Sequence, residues 1–223
     1  MIARTRPASL RAREALGEQY STLEQQHTAS ELGMWIFLAT ELMLFGGLFT
    51  AYTVYRTVYS AGFAEGSRHL DLLYGGVNTA ILLTSSLTMA LAVRAAQLGQ
   101  QRALMRALAV TAILGLLFLA IKAAEYQKHF AEGMVPGLAW TYQGPLATQI
   151  ELFFFAYFAM TALHSVHLGV GVVTVAVITV LARHGAFLGE RHTPVEMLGL
   201  YWHFVDVIWI FLVPLLYLFG PSS

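Results

Sequence analysis

From Leu72 to Val93 the chain runs without one charged side chain. A run of roughly 20 mostly apolar residues is what an α-helix needs to cross the hydrocarbon of a bilayer. Four further stretches carry the same signature, at about 32–55, 103–126, 150–182 and 195–219. Inside hydrocarbon the backbone polar groups must pair within the chain, which a helix does locally. The sequence therefore predicts an all-α, polytopic membrane protein, a five-transmembrane-helix bundle. The stretch 150–182 exceeds what a bilayer needs and must tilt or project from it. Composition agrees: 57% of residues are hydrophobic and 12% are charged, about half the charge of an ordinary soluble domain.

Residues 1–31 form a polar, basic N-terminal tail, with Arg4, Arg6, Arg11 and Arg13 ahead of Glu14, Glu18 and Glu24. No apolar core follows until about Met34, so the tail does not read as a secretory signal. It reads as a cytoplasmic segment, partly helical or disordered. Residues 32–220 then make a single membrane domain in which no internal repeat is detectable. The loop Glu132–Gln149 contains Pro136, Gly137, Gly144 and Pro145, which mark irregular backbone.

Arginine and lysine orient the bundle. One side collects the tail arginines, Arg94, Arg102 and Arg106 around one short turn, and Arg183 and Arg191 in another; the opposite side holds Arg56, Arg68 and Lys128. The bias predicts a cytoplasmic N-terminus and a periplasmic C-terminus. A formal net charge of zero gives no reason to expect a nucleic-acid partner, and the absence of cysteine excludes disulfides, thiolate nucleophiles and thiolate metal sites.

Several polar residues lie within the apolar stretches. Glu41 sits in Gly33–Tyr52, otherwise free of charge, and Asp206 sits in Tyr201–Phe211. A carboxyl group in hydrocarbon costs several kcal/mol and persists only with a partner, a proton or a water path. Lys122 and Glu125, His164 and His167, and His203 and Asp206 are each spaced i,i+3, which makes them neighbours on a helix surface. Asn78, Thr79, Thr84, Ser85, Ser86 and Thr88 give the second helix a polar stripe suited to bonds between helices. Glu41 is open to two readings, a hydrogen bond to a neighbouring helix or a role in proton movement. His164, His167, His203 and Asp206 admit either a metal or haem site or a hydrogen-bonded network. The Glu-x-x-His pairs of a di-iron bundle are missing, since Lys128 stands three residues after Glu125. Gly46–Gly47, Gly75–Gly76, Gly169 and Gly171 would permit close helix or lipid approach. Trp140, Tyr142, Tyr201 and Trp202 fall where interfacial rings settle.

Gly33–Tyr52, Val77–Ser86, Ala120–Tyr126, Ala159–Gly169 and Tyr201–Phe211 resemble, in order, the successive signature segments of subunit III of haem–copper oxidases. The most specific are Tyr-Trp-His-Phe-Val-Asp-Val at 201–207 and Leu-His-Ser-Val-His at 163–167. The resemblance runs from about Leu32 to Gly220. It implies an accessory subunit of a bacterial terminal respiratory oxidase, a cytochrome c oxidase that reduces dioxygen to water and pumps protons. In such a complex this chain catalyses nothing itself. It docks on the haem–copper catalytic subunit I, beside subunit II, in the bacterial inner membrane. It carries no cofactor of its own, haem and copper lying in those partner subunits, and bound phospholipid is a further expectation. It would support proton uptake and protect the catalytic subunit during turnover. Glu41 matches the family's embedded glutamate; Glu125, His164, His167, His203 and Asp206 match its polar network, favouring a network over a metal.

One departure bears on lipid. Seven-helix members have two helices ahead of the segment where this chain's resemblance begins, and those helices form one wall of the family's lipid cleft. Membership of a quinol oxidase or a nitric oxide reductase complex is an alternative, and a small transporter or proton channel built on Glu41 and Asp206, or a free-standing metalloenzyme, is more distant.

Overall fold

The computed structural model describes residues 21–183, 187 and 192–218. Among the described residues six α-helices carry the fold: α1 (Leu23–Val58), α2 (Ser60–Arg68), α3 (Leu72–Gln97), α4 (Gln101–Ala131), α5 (Ala147–Ala182) and α6 (Thr193–Val213), the last running into a π-helical turn at Pro214–Leu218. Between α4 and α5 a two-residue hairpin pairs β1 (Met134–Val135) with β2 (Ala139–Trp140), Met134 opposite Trp140. Five of these helices are long and apolar enough to cross a membrane. The protein is an all-α, multi-pass membrane bundle.

The helix boundaries follow local chemistry. Thr22 caps α1, its hydroxyl accepting the Gln25 backbone N–H at 3.1 Å, and satisfies a donor that the first turn leaves orphaned. The helix therefore starts well before position 32, through residues that the sequence assigns to the tail; residues 1–20 lie outside the described residues. Asp71 caps α3 in the same way through Leu73 N–H. Gly133 ends α4 with φ +69, and a Cβ there would lie 1.9 Å from the Thr141 hydroxyl oxygen. Only glycine fits that turn, where Thr141 N–H bonds back to Gly133 O at 2.9 Å. At the other end of the bundle, the Gln101 amide donates to the carbonyls of Ala182 and Arg183, both at 3.0 Å.

α1 and α5 each have 36 residues, about 54 Å of helix, against roughly 30 Å of hydrocarbon. α6 is central, packed on α1, α3 and α5, while α4 joins α3 to α5 and the short α2 lies on α5. Within its most apolar window 56% of α6 is buried, against 11% for α1. The first helix is thus a peripheral one. Large apolar side chains stay uncovered on every long helix, including Met43, Leu87, Ile113, Val173 and Phe211, an outer surface fit for lipid or for other membrane subunits.

Close packing is achieved at particular glycines. A Cβ on Gly115 of α4 would stand 2.7 Å from Val172 and 3.0 Å from the Trp202 ring; one on Gly171 would meet Trp202 at 3.1 Å. Gly75 faces Tyr217 in the same manner. Gly46, Gly47, Gly76 and Gly169, grouped with them from the sequence, have nothing within 4 Å and face away from the rest of the described chain. Trp202 and Tyr201 are both buried between helices, and each has a polar partner there: Trp202 Nε1 donates to Ser85 Oγ at 3.1 Å, and Tyr201 OH donates to His167 O at 2.8 Å.

Candidate functional site

Two polar clusters occupy the bundle. In the first, Lys122 and Glu125 face the interior from α4, 2% and 1% exposed. Lys122 Nζ donates to Glu125 Oε2 at 3.0 Å, to Tyr157 Oη at 2.9 Å and to Tyr217 Oη at 3.0 Å. Both phenols then donate to Glu125 Oε1, at 2.8 and 2.6 Å. An ammonium has three N–H donors, and all three are used. The carboxylate accepts three bonds, and each phenol donates one and accepts one. The unit is neutral and closed, and it joins α4, α5 and the π-helical turn. The ammonium also lies 4.6 Å from the Tyr157 ring centroid, a contact favourable for a desolvated cation.

The second cluster joins α1 to α5. His167 Nε2 lies 2.9 Å from Glu41 Oε2, and its Nδ1 lies 2.8 Å from Leu163 O. A carbonyl only accepts, so Nδ1 carries hydrogen. Nε2 of a neutral ring is then an acceptor, and the proton in the Glu41 contact comes from the carboxyl group. Otherwise the ring is an imidazolium and Glu41 a carboxylate. Either way one proton sits on a 2.9 Å path between two groups that can each hold it. Glu41 and His167 are 16% and 15% exposed, so this pair, unlike the first cluster, reaches the surface of the chain. Phe45 stands edge-on to the His167 ring at 5.3 Å.

The remaining sequence-selected residues are distributed between helices. His203 Nδ1 bonds Ser86 Oγ at 2.8 Å, so its partner is on α3 and not Asp206 one turn away. Asp206 is buried beside Ser86, with neither carboxylate oxygen in hydrogen-bond geometry. Asn78 is buried, and its amide makes no hydrogen bond among the described residues. His164 is fully buried between Phe118 and Trp209, with ring centroids at 5.6 and 5.1 Å, and neither nitrogen is bonded. His164 and His167 thus face different neighbours despite their i,i+3 spacing. Among the described residues, His164, His167, His203 and Asp206 form no three-ligand group. The α3 stripe does bond between helices: Thr79 accepts from Trp209 Nε1 at 3.2 Å, Ser85 from Trp202, and Thr88 pairs with Thr111 at 2.7 Å.

Residues 13–221 match the family model of cytochrome c oxidase subunit III. The chain belongs to that family. Among its relatives, subunit 3 of cytochrome c oxidase from Synechocystis sp. is 35% identical over 187 residues, covering 83% of this chain and 74% of the relative. The subunit 3 of Corynebacterium diphtheriae cytochrome c oxidase is 32% identical, covering 80% and 82%. Subunit 3 of the cytochrome bo(3) ubiquinol oxidase of Pseudomonas aeruginosa is 30% identical, covering 84% of each chain. Membership of subunit III makes the chain one component of an oxidase complex.

Within that family frame, the sequence signals for Tyr157 and Tyr217 are weak. Both look like ordinary membrane aromatics, and only their position opposite Lys122 and Glu125 turns them into polar partners. Tyr201 is similar, its hydroxyl holding the backbone of the His167 turn.

Proposed function

We propose that this chain is the accessory subunit III of a bacterial terminal oxidase, docked on the haem–copper subunit I beside subunit II in the inner membrane. The observation that carries the reading is the family match across residues 13–221. Haem, copper and dioxygen chemistry belong to the partner subunits in this reading, and this chain contributes no catalytic residue. Its N-terminus is cytoplasmic and its C-terminus periplasmic.

The two clusters have different roles. Lys122, Glu125, Tyr157 and Tyr217 are structural, since all three ammonium donors and both phenol donors are already engaged within the cluster. Glu41 and His167 handle protons, holding one between them near the chain surface and supporting uptake by the catalytic subunit. Of the other polar residues, His203 ties α6 to α3 through Ser86, while Asn78, His164 and Asp206 are interior groups whose side chains make no hydrogen bond among the described residues. An apolar groove of about 450 Å³ between α1 and α6, lined by Trp35, Leu38, Leu42, Phe49, Phe204 and Phe211, suits a phospholipid acyl chain.

A mild-detergent pull-down through a tag on this chain tests the assignment, read by reduced-minus-oxidised absorbance and mass spectrometry. Haem bands with a haem–copper subunit and a copper-binding subunit are expected; a colourless preparation overturns the assignment. Glu41→Gln tests the proton role, because an amide can still donate to Nε2 yet releases no proton. The variant should assemble normally while its oxidase stops after fewer turnovers and takes up protons more slowly. Unchanged persistence of turnover would make Glu41 a packing residue.

The quinol oxidase relative, as similar in coverage as the cytochrome c oxidase ones, favours one second reading. The purified complex would then oxidise a quinol and leave reduced cytochrome c untouched.

A further inference from the structure

At the end of the bundle where α1 and α6 begin, three side chains from distant parts of the chain meet. Glu196, in the first turn of α6, holds its carboxylate between two imidazoles. His27 Nε2 lies 3.2 Å from Glu196 Oε2, and His192 Nε2 lies 3.1 Å from Glu196 Oε1. One donor atom from each residue falls within 4.8 Å of the other two. His192 precedes Glu196 by one helical turn, which places them on one face, while His27 arrives from α1. We propose that His27, His192 and Glu196 form a binding site for a divalent transition metal of the zinc class, one that clamps α1 to α6.

Two imidazoles and a carboxylate are a borderline-soft donor set that zinc accepts, with Zn–N and Zn–O bonds of about 2.0–2.2 Å. Such bonds put the ligand atoms of a tetrahedron roughly 3.3–3.5 Å apart. Each imidazole lies near that edge length from a different Glu196 oxygen, so the carboxylate must present one of its oxygens to the ion. The two imidazole nitrogens, within 4.8 Å of each other, must approach by at most about 1.5 Å, a side-chain adjustment. The surrounding groups orient the ligands as outer-shell partners do. The Gln97 amide donates to Glu196 Oε1, and the Glu31 carboxylate stands 3.6 Å from His27 Nδ1. That carboxylate favours hydrogen on Nδ1 and leaves the Nε2 lone pair directed at the cluster. The three ligands are partly exposed, at 35%, 26% and 18%, so an ion can enter from solvent and keep a water as its fourth ligand. The position also gives the metal something to do. α1 is the least buried of the long helices, and a bond network at its start would hold it against the most buried one.

The competing account is a hydrogen-bonded cluster in which the imidazoles donate to Glu196 and no ion enters. Zinc titration of the purified complex containing the full chain separates the two, after chelation and desalting, for the natural sequence and for His27→Gln, His192→Gln and Glu196→Gln. Glutamine at either histidine position keeps an N–H donor, so a hydrogen-bonded cluster survives while an imidazole ligand is lost. The natural chain should bind one zinc per copy that each substitution weakens at least tenfold, and millimolar magnesium should not compete, because it demands oxygen ligands. Equal zinc number and affinity in any variant that accumulates at normal levels overturns the proposal. Should none accumulate, zinc-edge absorption of the natural complex carrying one equivalent decides it. A shell with two imidazoles supports the site, and a shell without imidazole overturns it.

Discussion

At Lys122 three donors meet three acceptors, and the energetic consequence is asymmetric. Removing one partner leaves the other as an uncompensated charge in a site that is almost fully buried, a loss of about 3–5 kcal/mol in such pairs. Removing both leaves two phenols that can still bond each other, so the loss is smaller. Lys122→Met and Glu125→Leu should each lower the unfolding midpoint in mixed detergent micelles, and the two substitutions combined should recover most of it. A double-mutant cycle reads this as a coupling of more than 1 kcal/mol. Losses that simply add would mean that the two charges do not depend on each other. Tyr217→Phe, which removes one donor and one acceptor but no charge, should cost less than either single charge substitution.

At the scale of the helices, Gly115 and Gly76 make a matched pair. A side chain at Gly115 would enter the space of Val172 and Trp202, and one at Gly76 would meet nothing within 4 Å. Gly115→Val should therefore separate α4 from α5 and α6 and lower the melting temperature, by overpacking losses of about 1–3 kcal/mol, while Gly76→Ala should leave it unchanged or raise it. Equal effects at the two positions would mean that α4 does not approach α5 and α6 this closely. The same comparison marks how far the sequence is readable. The five long helices follow from hydropathy alone, because any apolar run of this length in hydrocarbon must close its own backbone bonds. The meeting of Lys122 with Glu125 follows from i,i+3 spacing, which is local. Which glycines are crowded depends on how helices distant in sequence are rotated, and nothing local encodes that. The contact of Glu41 with His167, 126 residues apart, is hidden for the same reason, as is the burial of Trp202. The α2 helix escapes notice because its nine residues, with Phe63 as their one large apolar side chain, are too few and too polar for a hydropathy reading. Its glycines, Gly62 and Gly66, serve the docking on α5, where a Cβ would strike Gln149 and Phe153.

For the molecule as a whole, the helix ends sort into two sets. His27, Gln97, Gln101, Arg183 and Glu196 share one end, as their contacts require, and the hairpin at Met134–Trp140 sits beyond the opposite ends of α4 and α5. Basic residues distinguish the two, since Arg94, Arg102 and Arg106 crowd the first end, and positively charged loops remain cytoplasmic. The chain contains no cysteine, so a single introduced thiol reports its own side without background. Gln100→Cys, in the turn between α3 and α4, should react with a membrane-impermeant maleimide only after the membrane is opened. Leu138→Cys, at the 84% exposed tip of the hairpin, should react in intact spheroplasts. The reverse pattern would place the N-terminus outside and put the His27–Glu196 cluster in the periplasm, where the metal it meets would be governed by a different pool.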